Sequence, residues 1–142
     1  MDAWFEQEQL HFAAADGDLE KAKELVSAGF DVNAFDDDLS FTPLHYAVKK
    51  GHIEVARFLL SVGANVNAHQ EERIGETPLG AVAADCSYEI AKLLVEAGAD
   101  PTIPGWMLLT ALDHAKERKK AEGRRVYELL KMASKRFNRL SV

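Results

Sequence analysis

Three stretches of this chain superimpose on one another. Residues 10–33 read LHFAAADGDLEKAKELVSAGFDVN, residues 44–67 read LHYAVKKGHIEVARFLLSVGANVN, and residues 79–102 read LGAVAADCSYEIAKLLVEAGADPT. Their starts, Leu10, Leu44 and Leu79, lie 34 and then 35 residues apart. Self-similarity at such a period marks one supersecondary unit stacked several times, each copy burying its apolar face against its neighbours. The expected architecture is therefore a solenoid, and the expected function is recognition before chemistry.

The unit can be read from its own residues. Thr42-Pro43 and Thr77-Pro78 are helix starts, a hydroxyl N-cap followed by proline at the first helical position. Leu44, Ala47 and Val48 then share one face of a short helix. Gly51 ends it, as a residue that accepts the left-handed backbone of a tight turn. A second helix, about 53–61, carries Val55, Ala56, Leu59 and Leu60 at helical spacing, and Gly63 closes it. Residues 64–68, Ala-Asn-Val-Asn-Ala, lead into a polar excursion and the next Thr-Pro.

Thr42-Pro43-Leu44-His45, Gly51-His52, Leu59-Leu60, Gly63 to Ala68, and Gly75 with Thr77-Pro78-Leu79 together resemble the ankyrin repeat family over roughly residues 5–133. The resemblance implies an all-α solenoid of helix–turn–helix units with short β-hairpin fingers. It further implies a concave face built of fingers and first helices that binds proteins, and structural hydrogen bonds from His45 and His52 to neighbouring loops. Four units are expected, about 3–38, 39–74, 75–107 and 108–135, in one domain spanning 1–142, with 136–142 a frayed tail. The first and last units are caps. Unit one has Glu8-Gln9 in place of Thr-Pro, with its helix starting near Asp2 and carrying Trp4 and Phe5. In unit three Cys86-Ser87 replaces Gly51-His52, which leaves its inter-helix turn open. In unit four the helices fall at about 111–120 and 124–133, separated by Ala121-Glu122-Gly123.

Charge is uneven along the chain. Residues 1–110 hold 19 acidic and 7 basic side chains, whereas residues 111–142 hold 4 and 10. An acidic solenoid thus ends in a basic unit, and a basic partner surface suits the larger part. The competing class is nucleic-acid or acidic-partner binding through Lys116, Arg118, Lys119, Lys120, Arg124, Arg125, Lys131, Lys135, Arg136 and Arg139. The acidic remainder would repel phosphates, and no aromatic residues interleave with the basic run of 116–125.

Catalytic, cofactor and metal sites are not expected. No two of the five histidines share an i, i+4 helical face. Asp36-Asp37-Asp38 lacks the spacing of a calcium loop and reads as a solvated loop tip. Cys86, the one cysteine, excludes an intrachain disulfide and fits a reducing cytoplasm. Residues 1–8 carry no export signal, and no apolar run is long enough to span a membrane.

The family's variable positions map onto Leu39 and Phe41 before unit two, and onto Arg73, Ile74 and Glu76 before unit three. Before unit four they map onto Trp106, Met107 and Leu109. On the first helices they give Tyr46, Lys49 and Lys50, then Ala81, Ala84 and Asp85, then Glu117 and Arg118. Trp106, Met107, Tyr46 and Phe41 are the candidate anchors. Gly105 to Leu109 is almost wholly apolar, and Leu108 occupies the place of the usual finger glycine. Such a cluster describes an interface hot spot, or else side chains folded down to seal unit four on unit three. The protein is expected to act as a monomeric, non-enzymatic adaptor, inhibitor or antidote-type neutralising partner.

Overall fold

The computed structural model describes residues 6–73 and 75–140. Among them are eight α-helices and no strand. Unit one is α1 (Gln9–Asp16) and α2 (Leu19–Ser27); unit two is α3 (Pro43–Lys49) and α4 (Ile53–Ser61). Unit three is α5 (Pro78–Val82) and α6 (Tyr88–Glu96); unit four is α7 (Ala111–Lys116) and α8 (Ala121–Leu140). The helix start expected near Asp2, with Trp4 and Phe5, and the finger residue Ile74 lie outside the described residues.

First helices stack in the order α1, α3, α5, α7. Among second helices α2 packs on α4 and α6 on α8, while α4 and α6 approach less closely. The core is the repeat made physical. Leu10, Leu44 and Leu79 line the first helices and Leu25, Leu59 and Leu94 the second, all buried in one continuous cluster. Each sits at the same register position, so every unit offers its neighbours the same apolar surface.

Polar side chains repeat in the same register. The carboxyl or amide of Asp31, Asn65 and Asp100 each accepts from the backbone two residues on, at 2.8, 3.0 and 2.9 Å. These are Asx turns, and they fix the start of each connecting loop. Asn33 then reaches across to unit two, donating to the Gly63 carbonyl at 3.1 Å and accepting from the Asn65 N–H at 2.7 Å. Asn67 repeats the stitch to unit three on Gly98 and Asp100.

Gly17 and Gly51 close α1 and α3 with φ of 74° and 77°. Unit three solves its turn without glycine. There α5 stops at Val82, the Cys86 N–H bonds back to the Val82 carbonyl at 2.8 Å, and Cys86 needs no positive φ. Ser87 becomes the N-cap of α6, accepting from the Ile90 N–H at 3.2 Å.

The helix starts show one geometry met by different chemistries. In unit two the His45 Nδ1 accepts from the Thr42 N–H at 2.9 Å, while Nε2 donates to the Glu76 carbonyl at 2.6 Å. In unit four Asp113 holds the place of His45, and its carboxylate accepts from the Thr110 N–H at 2.9 Å. That bond holds the Asp113 carboxyl below its ordinary range. In unit one the chain is already helical at residues 6 and 7, so Glu8 cannot play the part of Thr42. The buried Nδ1 of His11 is left without a partner there.

His45 gives the fold a pH dependence. Burial lowers its pKa from 6.5 to about 4. Protonating Nδ1 would also remove the acceptor that Thr42 uses. The folded pKa is depressed, so the stabilisation is complete above pH 6.5 and is lost as pH falls toward 4. The full effect is on the order of 3 kcal/mol, with about 2 kcal/mol already lost near pH 5. Urea midpoints measured across that window should fall, and His45→Gln should flatten the slope. An unchanged wild-type midpoint would show that His45 is not buried in its neutral form.

Unit four departs from the sequence expectation. Gly123 is not a loop residue: the connection is residues 117–120 and Gly123 lies inside α8. Its glycine serves packing, because a Cβ there would come within 2.5 Å of the Arg118 side chain. Of the tail expected over 136–142, residues 136–140 belong to α8, and 141 and 142 lie outside the described residues. Val126, Leu130 and Ser134, four apart, bury one face of that helix.

Candidate functional site

The hairpin fingers expected on the concave side are tight loops in place of strands. Their necks are closed by backbone bonds: Asp36 N–H to Phe41 O at 2.8 Å, Gly75 N–H to Gln70 O at 3.0 Å, and Gly105 N–H to Leu109 O at 2.9 Å. These bonds build no strand among the described residues, and side chains add to them in holding the loop shapes.

In the first finger Asp36 does this from inside. It is buried, and its Oδ1 accepts from the Leu39 and Phe41 N–H groups at 3.1 and 3.0 Å. Its Oδ2 accepts from the Tyr46 hydroxyl, which burial and this carboxylate push well above the ordinary phenol range. Of the acidic triplet only Asp37 and Asp38 are solvated. Asp36 is thus a loop organiser, not part of a charged tip.

The last finger is braced from outside by Glu76. Its Oε1 accepts from the Trp106 N–H at 3.1 Å. The carboxylate lies in a notch between two glycines. A Cβ at Gly80 or at Gly105 would come within 2.4 Å of Oε2. Gly80 stands where unit two has His45, so unit three gives up the capping imidazole and gains room for this carboxylate. His114 adds a nitrogen 3.7 Å from Oε1.

On that brace stands an apolar knuckle. Trp106, Met107 and Leu108 form a 3-10 turn, 61%, 66% and 79% exposed, followed by Leu109 at 39%. Met107 and Leu108 sit in the left-handed region, with φ of 58° and 61°. A non-glycine residue held there costs about 1–3 kcal/mol. Ile103, Pro104, Gly105 and Leu108 also form one wall of a cleft of ≈ 280 Å³, whose other wall is His69, Glu71 and Gly75 of the preceding finger.

The expected partner-binding residues divide under this geometry. Leu39, Lys49, Lys50, Arg73, Trp106, Met107 and Leu109 are exposed. Phe41 is not an exposed anchor. It is buried and stacks on His45 with ring centroids 4.6 Å apart. Tyr46 is half-buried and committed to Asp36, and Glu76 is half-buried and committed to the finger. Arg118 is drawn inward, its Nη1 donating to the Cys86 carbonyl at 2.8 Å. Trp106 and Met107 stand largely in solvent.

Among the described residues four large exposed apolar side chains, Phe12, Val62, Leu108 and Met132, were not among the expected sites. Leu108 is the most informative: it holds the place of Ser40 and Gly75 in the earlier fingers, shares the left-handed backbone of Ser40 and, unlike Ser40, is carried outward. Phe12, in register with Tyr46, is 42% exposed on α1.

Among the described residues no three His, Cys, Asp or Glu side chains converge to hold a metal. Burial pushes the Cys86 thiol up to about 11, so it stays protonated and unreactive at neutral pH. No helix among the described residues is long and apolar enough to cross a membrane.

No curated protein matches the chain in sequence. The family model described as ankyrin repeats (3 copies) matches residues 10–104. With helix pairs in one register, loops stitched by Asn33 and Asn67, and that match over most of its length, the chain belongs to the ankyrin repeat family.

Proposed function

We propose that this protein binds a partner protein through its fingers and first helices, with the Trp106–Leu109 knuckle as the anchor. Ankyrin repeats are generally protein–protein interaction modules and are typically non-enzymatic. The observation that carries the reading is four consecutive exposed apolar residues on a strained loop. Left-handed backbone at two successive non-glycine residues, Met107 and Leu108, costs stability, where the first finger holds one such residue, Ser40. Strain concentrates where a surface must be held in one shape. A preformed aromatic and methionine cluster with a polar rim is the composition of an interface centre.

The exposed acidic side chains Asp37, Asp38, Glu71 and Glu72 lie on the fingers and favour a partner with a basic surface. Such a protein works by occupying that surface, as an adaptor, an inhibitor or a neutralising factor. The basic C-terminal unit supports the competing nucleic-acid reading less well. Arg118 is spent on carbonyls, and the Arg125 guanidinium lies 4.0 Å over the Tyr88 ring.

Affinity capture from host lysate, run in parallel with wild type and a folded Trp106→Ala, Leu108→Ala variant, tests the reading. A protein retained by the first and lost by the second supports it. A capture profile identical for both would overturn it. With the partner in hand, Asp37→Lys together with Asp38→Lys should slow association and flatten its salt dependence, leaving dissociation nearly unchanged. A changed off-rate with an unchanged on-rate would move these residues from rim to centre.

A further inference from the structure

Two of the three junctions between units are closed by a nitrogen donor from the later unit. Between units one and two, His52 packs on Gly17 so closely that a Cβ there would sit 2.6 Å from the ring. Its Nε2 donates to the Ala15 carbonyl at 3.0 Å. Between units three and four, Arg118 donates to the Cys86 carbonyl at 2.8 Å.

The middle junction has the same frame without the donor. Ser87 stands in register with His52, and its hydroxyl is committed to the Ile90 N–H of its own helix. Gly51 stands in register with Gly17 and has nearly the same φ, 77° against 74°. An added Cβ at Gly51 would meet nothing within 4 Å. The Lys49 carbonyl stands in register with that of Ala15, and no donor among the described residues reaches it. A cavity of ≈ 360 Å³ opens at this place, lined by Lys49, Gly51, Val82, Cys86, Ser87 and Ile90 among others.

We propose that the junction of units two and three is a binding site for an imidazole ring, seated on Gly51 with its N–H donated to the Lys49 carbonyl. Imidazole is favoured over guanidinium because the glycine floor and the acceptor position repeat those that receive His52. The Arg118 junction has Cys86 in place of glycine. The cavity exceeds a single ring, so the ring can enter carrying a substituent. The site lies at the inter-helix turns, apart from the finger knuckle, and neither reading depends on the other.

The test is an NMR titration of the intact chain, following the Gly51, Cys86 and Ser87 amides. The probe is 4-methylimidazole, with toluene as a ring that lacks the N–H. A ligand this small should bind in the millimolar range. Shifts confined to these amides, saturable with 4-methylimidazole and absent with toluene, are expected. Adding N-acetyl-histidine-methylamide separates the sources. Matching shifts mean that a partner's histidine can enter, and their absence restricts the site to a free imidazole-bearing ligand.

Ser87→His should fill the site from within and abolish the shifts, with Tm nearly unchanged because the hydrogen bond gained offsets the α6 cap lost. Unmoved amides, or equal response to toluene, overturn the proposal. So do shifts that persist in a folded Ser87→His protein. Should that variant fail to fold, the toluene comparison on the wild type decides alone.

Discussion

Leu59→Ala and Leu94→Ala should each destabilise the protein by about 2–5 kcal/mol, the range for truncating a fully buried leucine. Both side chains have no exposed surface. They hold the same register position in α4 and α6, the second helices of the two internal units. The loss has two parts: the transfer free energy of the removed carbons, and the cavity left in a core that relaxes only partly. In a quasi-one-dimensional array each internal unit contributes its own stability and two interfaces. Loss at either leucine therefore weakens both neighbours as well as its own helix pair. Leu25, the same position in unit one, is 5% exposed and has a neighbour on one side only. Leu25→Ala should cost less than either. Urea unfolding followed by circular dichroism gives the order. A negligible shift at Leu59 or Leu94 would mean that the register which aligns the units is wrong.

The fold was legible because the sequence states it three times. Each copy repeats Leu, Ala and Gly at fixed offsets, the first two add Asn33 and Asn67, and each of those residues does a local job: core, close helix contact, left-handed turn or loop stitch. Local jobs show in local patterns. What was not legible depends on partners far along the chain. Phe41 reads as an exposed finger residue until His45 is seen beneath it. Asp36 reads as one of three equivalent acids, and only the fold turns it inward to hold the loop that Tyr46 closes. Glu76 reads as a variable surface residue, yet its carboxylate lies between Gly80 and Gly105, the second of which is 29 residues downstream. Gly123 reads as a turn because glycine usually marks one. Its role is to let Arg118 lie across α8, and no periodicity reveals that. The shape of the candidate site is therefore owed to long-range contacts, even though its apolar character was plain in residues 105–109.

Trp106→Ala should weaken partner binding by at least ~2 kcal/mol, the scale of an interface hot spot, and should leave the melting temperature nearly unchanged. The two halves of this expectation have separate causes. Affinity falls because a large rigid aromatic surface is removed from the centre of the knuckle, where a partner would exclude water most completely. Stability holds because the side chain is 61% exposed and the loop is fixed through the backbone. The Trp106 N–H still reaches Glu76, and the Gly105 to Leu109 bond does not involve the side chain. Glu76→Gln makes the complementary variant. It weakens the brace without touching the contact surface, so it should reduce affinity by loosening the knuckle, with Trp106 still present. The pair distinguishes a contact from its support: Trp106→Ala removes binding surface, and Glu76→Gln removes preorganisation. If Trp106→Ala lowers the melting temperature while affinity falls only with the folded fraction, the tryptophan belongs to the cap of the array. The binding surface must then lie elsewhere along the fingers.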